Sequence, residues 1–142
     1  MNPGVAVVAV DYRLGPEAPF PAAVDDALAD FKVNALGAMI AVQEAVPSMR
    51  AAGTGTILLT GGGLALQPMA QLASLSMGKS AIRSLTFSLA EELEPAGIHV
   101  ATVTVCGFVQ PGTRFDPDTI AETYQRLHEQ PRAEWEREVI FR

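Results

Sequence analysis

The chain has 142 residues, 49% hydrophobic and 18% charged, with a mean hydropathy of +0.21, enough apolar material for one packed domain, which excludes global disorder. A formal charge of −6 without any Lys/Arg cluster argues against a nucleic-acid partner. Cys106 stands alone, so an internal disulfide and a cysteine-built zinc site are excluded and a reducing, cytoplasmic setting is expected. No basic residue precedes Arg13 and no apolar run approaches the ~18 residues that span a bilayer, so neither secretion nor membrane insertion is expected.

Residues 5–10, Val-Ala-Val-Val-Ala-Val, are apolar on both faces and too short for a helix, which predicts a buried parallel strand. Three prolines and a glycine over 12–21 predict a rigid loop. Val24, Leu28, Phe31, Ala35 and Met39 recur every three or four residues, predicting one amphipathic helix from about 22 to 49, bent at Pro47. After Gly53-Thr54-Gly55, residues 56–60 read as a second buried strand, and Gly61-Gly62-Gly63 as a turn that lets backbone approach something closely.

A second helix is predicted from Met69 or Ala70 to Glu94, stopped by Pro95-Ala96-Gly97, and a third strand over 98–105. Residues 106–113 read as loop. Asp116-Pro117-Asp118 caps a charged helix over about 119–129, with Pro131 and a short tail around Trp135 beyond it. The alternation implies an α/β fold with at least three parallel strands and right-handed helical crossovers. The whole chain is expected to form a single domain, 1–142.

Two stretches carry resemblances. Val10-Asp11-Tyr12-Arg13-Leu14-Gly15-Pro16-Glu17, Pro19-Phe20-Pro21-Ala22 and Asp25-Asp26-Ala27 resemble the strand and loop ahead of the nucleophile in α/β-hydrolases of the hormone-sensitive-lipase type, over about 4–30. The His-Gly-Gly and Gly-x-Ser-x-Gly segments of that chemistry do not occur, and His99 and His128 read as surface or helix residues. From about Phe31 onward, Val33-Asn34-Ala35-Leu36-Gly37, the strand with its glycines, Gly78-Lys79-Ser80-Ala81, Leu89-Ala90-Glu91-Glu92-Leu93 and Gly97-Ile98-His99-Val100 resemble the C-terminal half of a short-chain dehydrogenase/reductase. That resemblance divides the domain into a hydrolase-like segment, 1–30, and a dehydrogenase-like segment, 31–142, and implies a partial Rossmann-like sheet.

The resemblance implies NAD- or NADP-dependent hydride transfer at a carbonyl or alcohol of a small molecule. In that chemistry a tyrosine passes a proton to the substrate oxygen, a lysine four residues later lowers the tyrosine pKa and holds the ribose, a serine orients the carbonyl and an asparagine completes the proton relay. Asn34 and Lys79 stand in the asparagine and lysine positions. The tyrosine position holds Leu75, and the serine position falls on Gly62 or Gly63. Gly107, Val109 and Thr113, with Lys79, are the residues that would meet the cofactor. No Gly-x-Gly-x-x-Gly or Gly-x-x-x-Gly-x-Gly turn occurs, so weak cofactor binding and impaired catalysis are expected, with an esterase-like fragment or a non-catalytic assembly module as alternatives.

Several features have plainer readings. Ala73 to Ser80 fits the permissive form of a phosphate loop, yet lies inside a predicted helix. Cys106 reads as a small buried hydrophobe, Asp25-Asp26 and Glu91-Glu92 as helix surface charges, and Met39, Met49, Met69 and Met77 as packing. Apolar stripes including Leu36, Ile40, Leu72 and Leu85, on a sheet expected to lack a second helical layer, predict a homo-oligomer.

Overall fold

The computed structural model describes residues 5–8 and 22–142. The loop expected over 12–21 lies outside the described residues, as does most of the hydrolase-like stretch. β1 (Val5–Val8), β2 (Gly55–Gly62), β3 (Ile98–Val105) and β4 (Glu138–Phe141) form one parallel sheet in the order β1-β2-β3-β4. Val8 pairs with Leu59, Gly62 with Val105, and Val105 with Phe141. The α/β architecture is the Rossmann-like parallel sheet expected, and β4 is an addition to it. The tail around Trp135 therefore continues into an edge strand, which Glu138 and the exposed Ile140 disguise in the sequence.

The predicted first helix is one rod with an interruption. α1 (Ala22–Phe31) passes through a π-helical turn, Lys32–Leu36, into α2 (Gly37–Ala52). The irregularity thus lies ahead of Pro47, which α2 accommodates within its length. α3 (Ala73–Leu93) follows a 3₁₀ turn, Ala70–Leu72, and α4 (Pro117–Glu129) starts at Asp116, whose side chain accepts from the Asp118 amide at 2.9 Å. Gly53 and Gly97 end their helical runs with φ of 68° and 77°, a left-handed geometry that glycine adopts without steric cost.

Alternation along the strands divides the core into two layers. Ile57, Leu59, Ile98 and Val100 face α2 and α3, packing with Ala38, Val42, Met49, Ile82 and Leu93. Leu58, Ala101, Val103 and Val105 face α4, packing with Ile120 and Leu127. A second helical layer is therefore present, contrary to expectation, because the short charged helix turns Ile120, Tyr124 and Leu127 inward at spacings of four and three. Leu36 and Ile40 are exposed as expected, but Leu72 and Leu85 are half-buried, and Leu85 packs against the core. Of the methionines, Met49 is packing; Met39, Met69 and Met77 are exposed. Among the described residues no helix is long and apolar enough to cross a membrane.

Candidate functional site

Parallel strands place their C-terminal ends on one edge of the sheet, and here that edge gathers Gly61 to Gly63, Cys106 and Gly107 beside the first turns of α3. Gly61 and Gly62 are strand residues, paired with Thr104 and Val105, so the expected glycine turn is shorter than its sequence.

Asn34 sits in the middle of the π-helical turn and is completely buried. A π turn carries one extra residue per turn, and such turns recur at functional sites. The Asn34 Nδ2 donates to the Asp30 carbonyl at 2.9 Å, while its Oδ1 has no partner among the described residues. Its neighbour is Gly78, where a Cβ would lie 3.3–3.4 Å from the Asn34 side chain. The absence of a side chain at 78 thus brings the asparagine helix against the lysine helix, one residue from Lys79.

Lys79 is 6% exposed. Its Nζ donates to the Thr60 carbonyl at 3.3 Å, and its methylene stem lies over Gly62, where a Cβ would come within 3.2–3.3 Å of Cγ, Cδ and Cε. Burial holds its pKa below the ordinary lysine value. The space that a serine side chain would take at Gly62 is therefore occupied by the lysine stem. Leu75, one turn earlier on α3, is buried and apolar. Gly63 faces Cys106, with a Cβ there 3.1–3.3 Å from its Cα, Sγ and Cβ.

Ser76 offers no substitute hydroxyl: it donates to the Leu72 carbonyl at 2.8 Å and accepts from the Met69 amide at 3.3 Å, fastening the start of α3. The stretch from Ala73 to Ser80 is helix throughout, so the phosphate-loop pattern has no loop to act through. Gly107, Val109 and Thr113 lie together on the exposed loop after β3; the Thr113 hydroxyl donates to the Gln110 carbonyl at 2.8 Å, and a side chain at Gly107 would enter the Phe115 ring.

The two histidines take different places. His99 is a β3 residue, 2% exposed, stacked on Trp135 at 4.8 Å with its Nε2 2.8 Å from the Glu136 carbonyl, so its reading as a surface or helix residue is corrected. His128 is on α4, its Nδ1 3.0 Å from the Thr56 hydroxyl. Two other groups near the site had no local signal. The Tyr124 hydroxyl bonds the Thr60 hydroxyl at 2.7 Å, and burial raises its pKa while that bond opposes the rise. Glu138 of β4 takes Arg83 of α3 in a fork of 2.7–3.1 Å and the Thr104 hydroxyl at 2.6 Å.

Asn34, Gly78, Lys79, Gly62 and Thr60 thus form one contiguous cluster holding an amide, an amine and backbone carbonyls. Neither an open groove of about 440 Å³ between α4 and Glu134 nor a cavity of about 10 Å³ beside His99 includes Asn34, Lys79 or Gly107. Among the described residues no group of three His, Cys, Asp or Glu side chains is arranged to hold a metal ion.

Comparison with known proteins returns a consistent family. The model of the short chain dehydrogenase family matches residues 15–119. A short-chain dehydrogenase from Rhodopseudomonas palustris superimposes with a TM-score of 0.80 at 25% identity, over 98% of this chain and 61% of that one. A metagenomic short-chain oxidoreductase, solved in complex with NADP, gives 0.68 at 25% identity over 78% and 48% of the two chains. Serine dehydrogenase from Escherichia coli, at 19% identity, shares the fold with a TM-score of 0.81. The chain spans about three fifths or less of the length of these structures. No curated protein matches its sequence significantly.

Proposed function

The chain belongs to the short-chain dehydrogenase family, and on that premise we propose that its ancestral reaction is NAD(P)-dependent hydride transfer at a carbonyl or alcohol of a small molecule, with catalysis impaired in this chain. The observation that carries the reading is the Lys79 stem lying over Gly62 with Nζ on the Thr60 carbonyl. A lysine that is to hold a ribose must present its ammonium to the ligand. Here it is folded inward, with Leu75 in place of a phenol one turn before it.

The Lys79 ammonium would therefore meet a nicotinamide ribose only after leaving the Thr60 carbonyl, which supports weak binding. Asn34 and Lys79 are proposed as the inherited catalytic pair, with Leu75 and Gly62 or Gly63 in the positions of the missing acid and orienting hydroxyl. Gly107, Val109 and Thr113 are the proposed cofactor-side contacts. The neighbour solved with NADP supports NAD(P) as the ligand class. We infer one domain over 1–142 in a reducing, cytoplasmic setting. The hydrolase-like stretch proposed over 1–30 is overlapped by the family match from residue 15 onward.

The test is a titration of the purified chain with oxidised and reduced NAD and NADP. Binding of about millimolar or weaker is expected, equivalent to no more than ~4 kcal/mol. Losing the acid alone removes about 10²–10⁴-fold in rate, so turnover should lie near background. Robust NAD(P)H-dependent reduction, abolished by Lys79→Ala, would overturn the impairment.

A specific observation favours a second reading alongside the first, an assembly role. Leu28, Phe31, Leu36, Met39 and Ile40 are all exposed along α1, the π turn and α2. An apolar stripe of this kind is a surface that a second copy of the chain would cover.

A further inference from the structure

We propose that Tyr124 is a positioning residue for Lys79, acting through Thr60 from the opposite face of the sheet. This deepens the reading above, since it rests on Lys79 being the retained side chain of the site.

Leu58 belongs to the layer covered by α4, and Thr60, two residues on, shares its pleat phase. The Thr60 hydroxyl accordingly meets the Tyr124 Oη at 2.7 Å, while the carbonyl of the same residue accepts from Lys79 Nζ at 3.3 Å. Lys79 comes from α3, which packs on the other layer. One strand residue thus joins two helices that lie on opposite faces.

The coupling has a physical route. Threonine is stiff at χ1, and the rotamer it holds restricts the backbone angles beneath it. A hydrogen bond that selects one Thr60 rotamer therefore restrains the carbonyl on which the lysine amine rests. Thr60 is itself held in the sheet by pairing with Val103 of β3. Tyr124 is half-buried beside Val103 and Leu127 in the same layer, so its ring is fixed by packing and its hydroxyl can act as a fixed point.

The sequence supplies a convenient probe, because Lys32 and Lys79 are its two lysines and Lys32 is exposed. Lysine-selective ¹³C labelling of the full chain then yields two Cε signals to follow against pH. Tyr124→Phe and Thr60→Val should each move the Lys79 titration further downward, away from that of an ordinary lysine, by about half a pH unit, the loss of one modest hydrogen bond to the charged form. The Lys32 signal should stay where it is, and Thr60→Ser, which keeps the hydroxyl, should behave as the parent. An unchanged or raised Lys79 curve in Tyr124→Phe overturns the proposal, as does Thr60→Ser behaving like Thr60→Val. Should Tyr124→Phe not fold, Thr60→Val decides. No cofactor is in the sample, so this result is independent of the titration that tests hydride transfer.

Discussion

Gly78 and Asn34 meet because one residue has no side chain. Replacing Gly78 by alanine should gain about 1 kcal/mol of helix propensity, yet the new methyl would lie 3.3–3.4 Å from an asparagine that is fully buried and bonded to the Asp30 carbonyl. Asn34 has nowhere to retreat, so Gly78→Ala is expected to lower the melting temperature. Asn34→Ala should relieve the crowding, and the double variant should be more stable than the two single losses add up to, by about 0.5–3 kcal/mol. Strict additivity in a thermal-unfolding cycle would show that the two residues do not press on each other.

Glu138 gives a pH-dependent counterpart at the same scale. The Arg83 hydrogen bonds hold its carboxyl below the usual glutamate value, against burial, with the Thr104 hydroxyl and the Arg83 charge assisting. A carboxylate depressed in the folded state contributes stability that is present above the unfolded value and lost as pH falls through the folded one. Glu138→Gln should therefore cost about 1–2 kcal/mol at pH 7, less than a fully desolvated pair because Arg83 remains 38% exposed. The difference from the parent should shrink as the pH is lowered below about 4. A gap that stays constant down to pH 3 would contradict the assignment.

The elements differ in how openly the sequence declares them. β3 is legible to its ends, since residues 98–105 are buried along their whole length and a strand buried on both faces carries apolar and β-branched residues throughout. α4 is announced by Asp116-Pro117 and ends near its expected limit. The π turn is hidden because its single extra residue falls inside an apolar run whose spacing of three and four continues across it. β4 is hidden for another reason: Glu138 faces the core only because Arg83, 55 residues away in sequence, neutralises it there. Long-range partners also explain what was missed around the site. The family resemblance pointed to Asn34 and Lys79, whereas Thr60 meets Tyr124 at a separation of 64 that no local pattern marks.

The strap leading into β4 carries a prediction of its own. Trp135 stacks on His99 with ring planes 5° apart and donates Nε1–H to the Gln130 carbonyl at 3.1 Å. Trp135→Ala should remove about 1–3 kcal/mol, below the cost of a fully buried tryptophan because this residue is only partly buried. It should also open His99 to diethyl pyrocarbonate, which reacts slowly with a ring 2% exposed. Unchanged His99 modification, mapped by mass spectrometry, would show that the strap does not shield it.

At the scale of the whole molecule, both layers of the core are closed among the described residues, and the α1–α2 rod carries a run of exposed apolar side chains from Leu28 to Ile40. We expect the protein to self-associate through that rod. Leu36→Lys with Ile40→Lys should move the sedimentation coefficient to that of the single chain, at little cost in melting temperature, since the two side chains are 42% and 51% exposed. A parent chain that sediments as a compact monomer at high concentration would remove the basis for the assembly reading.

The order of the strands across the sheet repeats their order along the chain. During synthesis each new strand can therefore join the growing edge of what has already emerged from the ribosome, with one helix to settle before the next strand arrives. The arrangement favours vectorial folding with modest loop closures at each addition. It also sets a sequence of events: Arg83 of α3 is made 55 residues before Glu138, so the fork that ties it to β4 closes only after the helix has formed. Nascent chains paused between the two would carry Lys79 on a helix that can dock but is not yet locked.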